Sequence, residues 1–85
     1  MKYYIGEIGE RNGEFEYTSQ YLFAIETSPK RYTKKTTMEW RGSDRSNWDK
    51  EEEGYWCWET LIYDNGHKEI PKEDFEVLRK YLSVL

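Results

Sequence analysis

Eighty-five residues carrying a formal charge of −4 suffice for one domain with a single core. Aromatic side chains make up 18% of the chain and are interleaved with apolar partners, so the 35% of charged residues do not imply a disordered coil. A single cysteine, Cys57, excludes an internal disulfide and any multi-cysteine metal site, and no apolar run approaches the roughly 18 residues of a membrane helix.

The opening Met1-Lys2-Tyr3-Tyr4-Ile5-Gly6 lacks the apolar core of a signal peptide, which leads to the expectation of a soluble, cytoplasmic protein. Lys2 to Glu10 reads as a strand with Tyr3, Ile5 and Glu7 on one face and Tyr4, Gly6 and Ile8 on the other. Arg11-Asn12-Gly13 supplies a turn, because Asn and Gly take positive φ at little cost. Glu14 to Glu26 then alternates cleanly, placing Phe15, Tyr17, Tyr21, Phe23 and Ile25 on one face.

Ser28-Pro29 is a helix start, with a hydroxyl at the N-cap and proline at the first helical position. The segment to Arg41 places Tyr32, Thr36 and Trp40 on one stripe, and Gly42 is a plausible C-terminal cap. Its threonines lower helix propensity, so a strand from Lys34 to Arg41 is the alternative. Ser43 to Glu53 is polar and unpatterned apart from Trp48, and reads as a loop.

Gly54 to Tyr63 carries the most concentrated apolar surface in the chain and reads as the central strand of a sheet. Trp56 and Trp58 would share one of its faces, and Tyr55, Cys57 and Glu59 the other. Asp64-Asn65-Gly66 reads as a hairpin turn into a short strand from His67 to Ile70. Pro71 opens a last helix with Glu73 and Asp74 in its first turn, where the dipole favours them, and with Phe75, Leu78 and Leu82 on one face. Glu76 precedes Lys80 by four residues on its outer side.

The expected fold is therefore a small α+β domain in the order ββαββα. Its four-stranded, largely antiparallel sheet would carry both helices on one face, with Phe15, Tyr21, Phe23 and Ile25 against Leu78 and Leu82. Open edge strands of such a sheet could pair into a homodimer.

The chemistry-bearing residues are few. Cys57 and His67 are the sole thiol and imidazole. A cysteine between two tryptophans in a strand is expected to be buried and unreactive, and His67 to be a solvated strand-start residue. Gly6-Glu7-Ile8-Gly9 lacks the strand–loop–helix setting and the Lys-Ser/Thr of a phosphate loop. Glu51-Glu52-Glu53 with Asp44 and Asp49 lacks the spacing of a calcium loop. No catalytic residue, cofactor or metal site is expected.

Charge is unevenly distributed. Residues 27–41 carry a net +4, whereas residues 42–59 carry a net −4. A line of carboxylates can imitate nucleic-acid phosphates and occupy a basic groove on a larger partner. With an aromatic centre it would form a docking surface comprising Asp44, Trp48, Asp49, Glu51, Glu52, Glu53, Tyr55 and Trp58. Whether Trp48 and its loop instead seal a second small core is left open by the sequence.

In size, acidity and lack of an active site the chain resembles the inhibitors that phages and plasmids use against restriction or CRISPR systems. That resemblance implies a non-catalytic protein that docks on and modulates a larger, nucleic-acid-handling complex. The alternative is direct nucleic-acid binding by Lys30, Arg31, Tyr32, Lys34, Lys35 and Arg41, cations for phosphates interleaved with aromatic rings for bases.

Overall fold

A computed structural model describes residues 1–85. Strands β1 (Lys2–Asn12) and β2 (Phe15–Ile25) form an antiparallel hairpin, with Lys2 opposite Ile25 and Asn12 opposite Phe15. Gly13 and Glu14 make the two-residue turn, and Gly13 takes the positive φ (+59°) that such a turn demands of its first residue. The alternation in β2 holds only in part: Tyr21 and Phe23 are buried together with Tyr4 and Ile8 of β1, but Phe15 and Tyr17 are exposed and Leu22, on the other face, is fully buried.

Helix α1 (Pro29–Glu39) begins as its sequence implies, with the Ser28 hydroxyl accepting from the Arg31 amide at 3.4 Å. Gly42 follows it at φ +74° and donates to the Glu39 carbonyl at 3.1 Å. The threonines do not break it, because Thr33 and Thr37 are buried and bond back into the helix. Their hydroxyls donate to the Lys30 carbonyl at 3.1 Å and the Thr33 carbonyl at 2.8 Å. These small, satisfied side chains form the centre of the contact with the sheet. Tyr32 and Trp40 flank it, half-buried.

The Ser43–Glu53 segment is more structured than a loop. Arg45–Asn47 form a 3-10 turn, and Trp48–Asp49 make a short strand, β3, against β4 (Gly54–Cys57). The sheet thus has five antiparallel strands and not four, in the order β2-β1-β5-β4-β3, with β5 running from Thr60 to Ile70.

The predicted central strand is two strands. It folds back at Trp58-Glu59, so that Cys57 pairs with Thr60 and Tyr55 with Ile62. Trp58 sits at φ +57° in this turn and does not share a strand face with Trp56. The turn carries neither Gly nor Asn, so strand propensity runs through it unbroken. Conversely, Asp64-Asn65-Gly66 is not a hairpin turn. β5 continues through it, with Gly6 opposite His67 and Ile8 opposite Asp64, so that Glu7 faces the extra residue of a β-bulge. The Asp64 carboxylate accepts from the Gly66 amide at 2.9 Å, and Gly66 takes φ +102°. Asx and glycine geometry serves a bulge as well as a hairpin.

The two helices lie on opposite faces of the sheet, contrary to the expected arrangement. Tyr4 stacks on Phe23 at 4.9 Å and Phe23 on Tyr32 of α1 at 4.7 Å. The adjacent Tyr3 points the other way, against Phe75 of α2 (Lys72–Leu78) at 4.9 Å. Tyr21, Phe23 and Ile25 therefore meet α1, not Leu78 and Leu82, and Phe15 remains 68% exposed. Each face of β1 and β2 carries enough apolar surface to hold its own helix: Leu22 on the α2 side is as buried as Phe23 on the other.

α2 is short, and its outer ion pair is Glu76 with Arg79 at 3.6 Å, not with Lys80. Beyond it the chain runs along the outer edge of β2, where the Leu22 amide donates to Ser83 at 2.9 Å and the Leu85 amide to Leu22 at 2.8 Å. This tail also accepts a bond from the Tyr32 hydroxyl, tying it to α1. It covers one part of the β2 edge, around Leu22, and the Phe15–Gln20 part has no strand beyond it.

Candidate functional site

On the α1 side of the sheet, Trp48, Tyr55, Ile62 and Glu10 lie side by side on four neighbouring strands. α1 covers the Ile62 end of this row. Beyond it a groove opens between α1 and the β3–β4 hairpin, floored by Trp48 and Tyr55. Arg31, Lys34, Lys35 and Met38 line its helical wall, because positions i, i+3, i+4 and i+7 share one helix face. Arg45 of the 3-10 turn faces them across the groove.

Tyr55 is buried, and its burial raises the phenol pKa while the nearby Arg45 charge opposes that rise. Trp48 rests on it at 4.9 Å and keeps 39% of its surface open. The Lys34 ammonium lies over the Trp48 ring, 5.1 Å from its centre. Arg31, Lys34 and Arg45 form no ion pair within 4.0 Å, and Lys35 reaches only Glu39, at 3.9 Å. Lys30 and His67 border an adjoining hollow shared with Glu53 and Asp64.

The hairpin that presents Trp48 is held by Asp49. Its carboxylate accepts from the Trp56 indole at 2.9 Å and from the Glu51 and Glu52 amides at 3.0 and 3.1 Å. These bonds, the indole's foremost, hold its pKa below the ordinary carboxylate range. Asp44 caps the 3-10 turn that carries Arg45. Bonds from the Ser46 hydroxyl and amide likewise lower its pKa.

The predicted docking residues are thus dispersed. Asp44 and Asp49 shape their own turns, Glu52 pairs with Arg11 at 2.6 Å, and Tyr55 is 4% exposed. Glu51, Glu52 and Glu53 lie at one end of β4 and Trp58 at the other, with the whole strand Gly54–Cys57 between them. Trp58 is 96% exposed at the tip of its turn.

The basic set also divides. Lys30, Arg31, Lys34 and Lys35 stay exposed on the groove side. Tyr32 turns into the core, and Arg41 binds the Glu10 carboxylate, at 2.9 Å through its terminal nitrogen. Trp40 turns to the same carboxylate. The groove's aromatic floor comes instead from Trp48, and its far wall from Arg45. Sequence reading assigned Trp48 to the acidic set and overlooked Arg45 because no local pattern links either to α1.

Cys57 donates its thiol hydrogen to the Arg41 carbonyl at 3.4 Å, and His67 packs edge-on against Tyr4 at 6.0 Å. The β5 partner of Cys57, Thr60, lies seven positions from His67. Thiol and imidazole are therefore roughly 20 Å apart along the strand. No three His, Cys, Asp or Glu side chains are grouped to hold a metal ion, and no helix is long and apolar enough to cross a membrane.

No family model, curated protein or solved structure matches the chain significantly.

Proposed function

We propose that this chain is a non-catalytic binding domain that holds nucleic acid in the groove between α1 and the β3–β4 hairpin. The observation that carries this reading is the convergence of Arg31, Lys34 and Arg45, none of them ion-paired, around the partly open ring of Trp48. Like charges brought together without carboxylate partners repel one another, and a polyanion relieves that repulsion. Cations on both walls with an aromatic floor is also how nucleic-acid backbones and bases are held together. Of the carboxylates that give the chain its net charge of −4, Glu52 and Glu10 are bound internally, while Glu53 and Asp64 border the adjoining hollow that shares Lys34, Trp48 and Tyr55 with the groove.

Fluorescence polarisation of labelled oligonucleotides tests the reading. Binding should weaken with salt along a log–log slope of about −2, corresponding to about three phosphates of a single strand. Lys34→Glu combined with Arg45→Glu should abolish it. Absence of binding at low ionic strength refutes the reading.

A second reading, docking on and modulation of a larger partner in the manner of a restriction or CRISPR inhibitor, draws support from Trp58. A tryptophan that exposed, on a backbone turn that disfavours it, resembles an interface anchor. Capture of a host protein that survives the Lys34/Arg45 reversal but is lost with Trp58→Ser would favour this reading. The carboxylate-mimic version has less support, since Asp44, Asp49 and Glu52 are engaged internally.

A further inference from the structure

We infer that the groove selects single-stranded nucleic acid by stacking one unpaired base on Trp48, with the neighbouring phosphates held by Arg31 and Lys35 on one wall and Arg45 on the other. This inference rests on the nucleic-acid reading above and adds to it the form of the ligand.

Trp48 is placed as a platform. Tyr55, 4% exposed, packs against its ring with centroids 4.9 Å apart and planes tilted by 59°. Asp49, the next residue, accepts three hydrogen bonds through its carboxylate, so the strand is held immediately after Trp48. What covers the ring is the Lys34 ammonium, 5.1 Å from its centre. That group sits on a flexible four-carbon stem and can swing to a phosphate when a base takes its place. The platform is preformed, and its cover is a cation that the ligand itself would recruit.

The walls decide between strands. The floor is flanked by α1 on one side and the 3-10 turn on the other, so a ligand entering by this groove reaches the indole by lowering a planar face between them. Bases in a duplex are paired and stacked, offering only their edges at the grooves, whereas a base in a single strand can present its face. Cations alone would grip either form. Stacking would be confined to the single strand.

The test uses the intact protein and four probes at matched phosphate concentration. These are a labelled oligothymidylate of about twelve nucleotides, long enough to exceed a site of roughly four, an abasic oligomer of the same length, a duplex of that length, and inorganic polyphosphate. Oligothymidylate should bind about tenfold or more tightly than the other three, the ratio that one stacked base supplies. Trp48→Leu should bring it down to their level while leaving them unchanged, and Trp48→Phe should retain most of the preference.

Equal affinity for the oligothymidylate and the abasic oligomer overturns the inference, as does a duplex bound as tightly as the single strand. Either result leaves the groove a general polyanion site and the broader reading intact. Failure of all four probes to bind overturns both. The abasic comparison needs no variant, so it decides the matter even if Trp48→Leu fails to fold.

Discussion

The indole nitrogen of Trp40 donates to the Glu10 carboxylate at 2.6 Å, and Arg41 closes on the same carboxylate through its Nε and a terminal nitrogen at 3.1 and 2.9 Å. One nearly buried acid in β1 thereby holds the C-terminal end of α1 against the sheet. The clamp fixes the end of α1 from which the chain runs on through Gly42 to the 3-10 turn that carries Arg45.

Glu10→Ala leaves the half-buried Trp40 donor unsatisfied, while the more exposed Arg41 returns to water. The expected loss is about 2 kcal/mol, less than for a fully buried ion pair. Glu10→Gln keeps an acceptor for Trp40 and should lose about half as much. Thermal unfolding followed by circular dichroism should place Glu10→Ala roughly 10 °C below the wild type; an unchanged midpoint would show that the clamp is dispensable.

Acid should loosen the β3–β4 hairpin late. The folded-state pKa of Asp49 is depressed, chiefly by the Trp56 indole bond. Its carboxylate therefore stabilises the fold at all pH values above the unfolded pKa of about 4, and that contribution is lost as pH falls through the lower folded value. The indole N–H resonance of Trp56 should hold steady down to about pH 4 and shift only below it. A transition centred above that point would contradict the hydrogen bond. Asp49→Asn should remove the transition.

Tyr21 is fully buried, and its hydroxyl makes no hydrogen bond of ordinary geometry. Burial is the main cause that raises its pKa, with the Asp64 charge second. A hydroxyl desolvated without a partner destabilises, so Tyr21→Phe should leave stability unchanged or raise it by about 1 kcal/mol. Chemical denaturation measures this directly, and a loss of more than about 1 kcal/mol would mean that the hydroxyl has a partner in solution.

Trp58 occupies left-handed backbone at φ +57°, which costs a non-glycine residue about 1 kcal/mol or more. Its side chain is exposed and contributes little to the core. Trp58→Gly should therefore raise stability by about 1 kcal/mol, read as a higher denaturant midpoint at unchanged slope. Oligonucleotide binding in the groove should be unaffected. A destabilised variant would reveal packing by Trp58 that its exposure does not suggest.

The β1–β2 hairpin with its turn at Gly13, the Ser28-Pro29 cap, the Gly42 stop and the Pro71 start of α2 were all legible in the chain, because each is settled among residues a few positions apart. The misreadings are as informative. Trp58-Glu59 turns without a turn residue, and Asp64-Asn65-Gly66 bulges where a hairpin was expected. In both places the choice depends on the strand alongside: Tyr55 opposite Ile62 in one, Gly6 opposite His67 in the other. Propensity registers what a segment tolerates and not what it pairs with. The opposite-face placement of α2 followed the same logic, since Tyr3 and Tyr4 offer apolar surface to both sides and either could have held it.

The sequence by itself determined that this is an α+β domain built on an antiparallel hairpin, with a basic first helix and an acidic segment after it. Only the tertiary structure decided that those two segments face each other, drawing Trp48 and Arg45 out of the acidic stretch to complete a groove with Arg31 and Lys34. Periodicity and capping act within one or two turns of chain. A groove is made by walls from separate elements, and their alignment depends on strand register and on contacts between residues far apart in the chain.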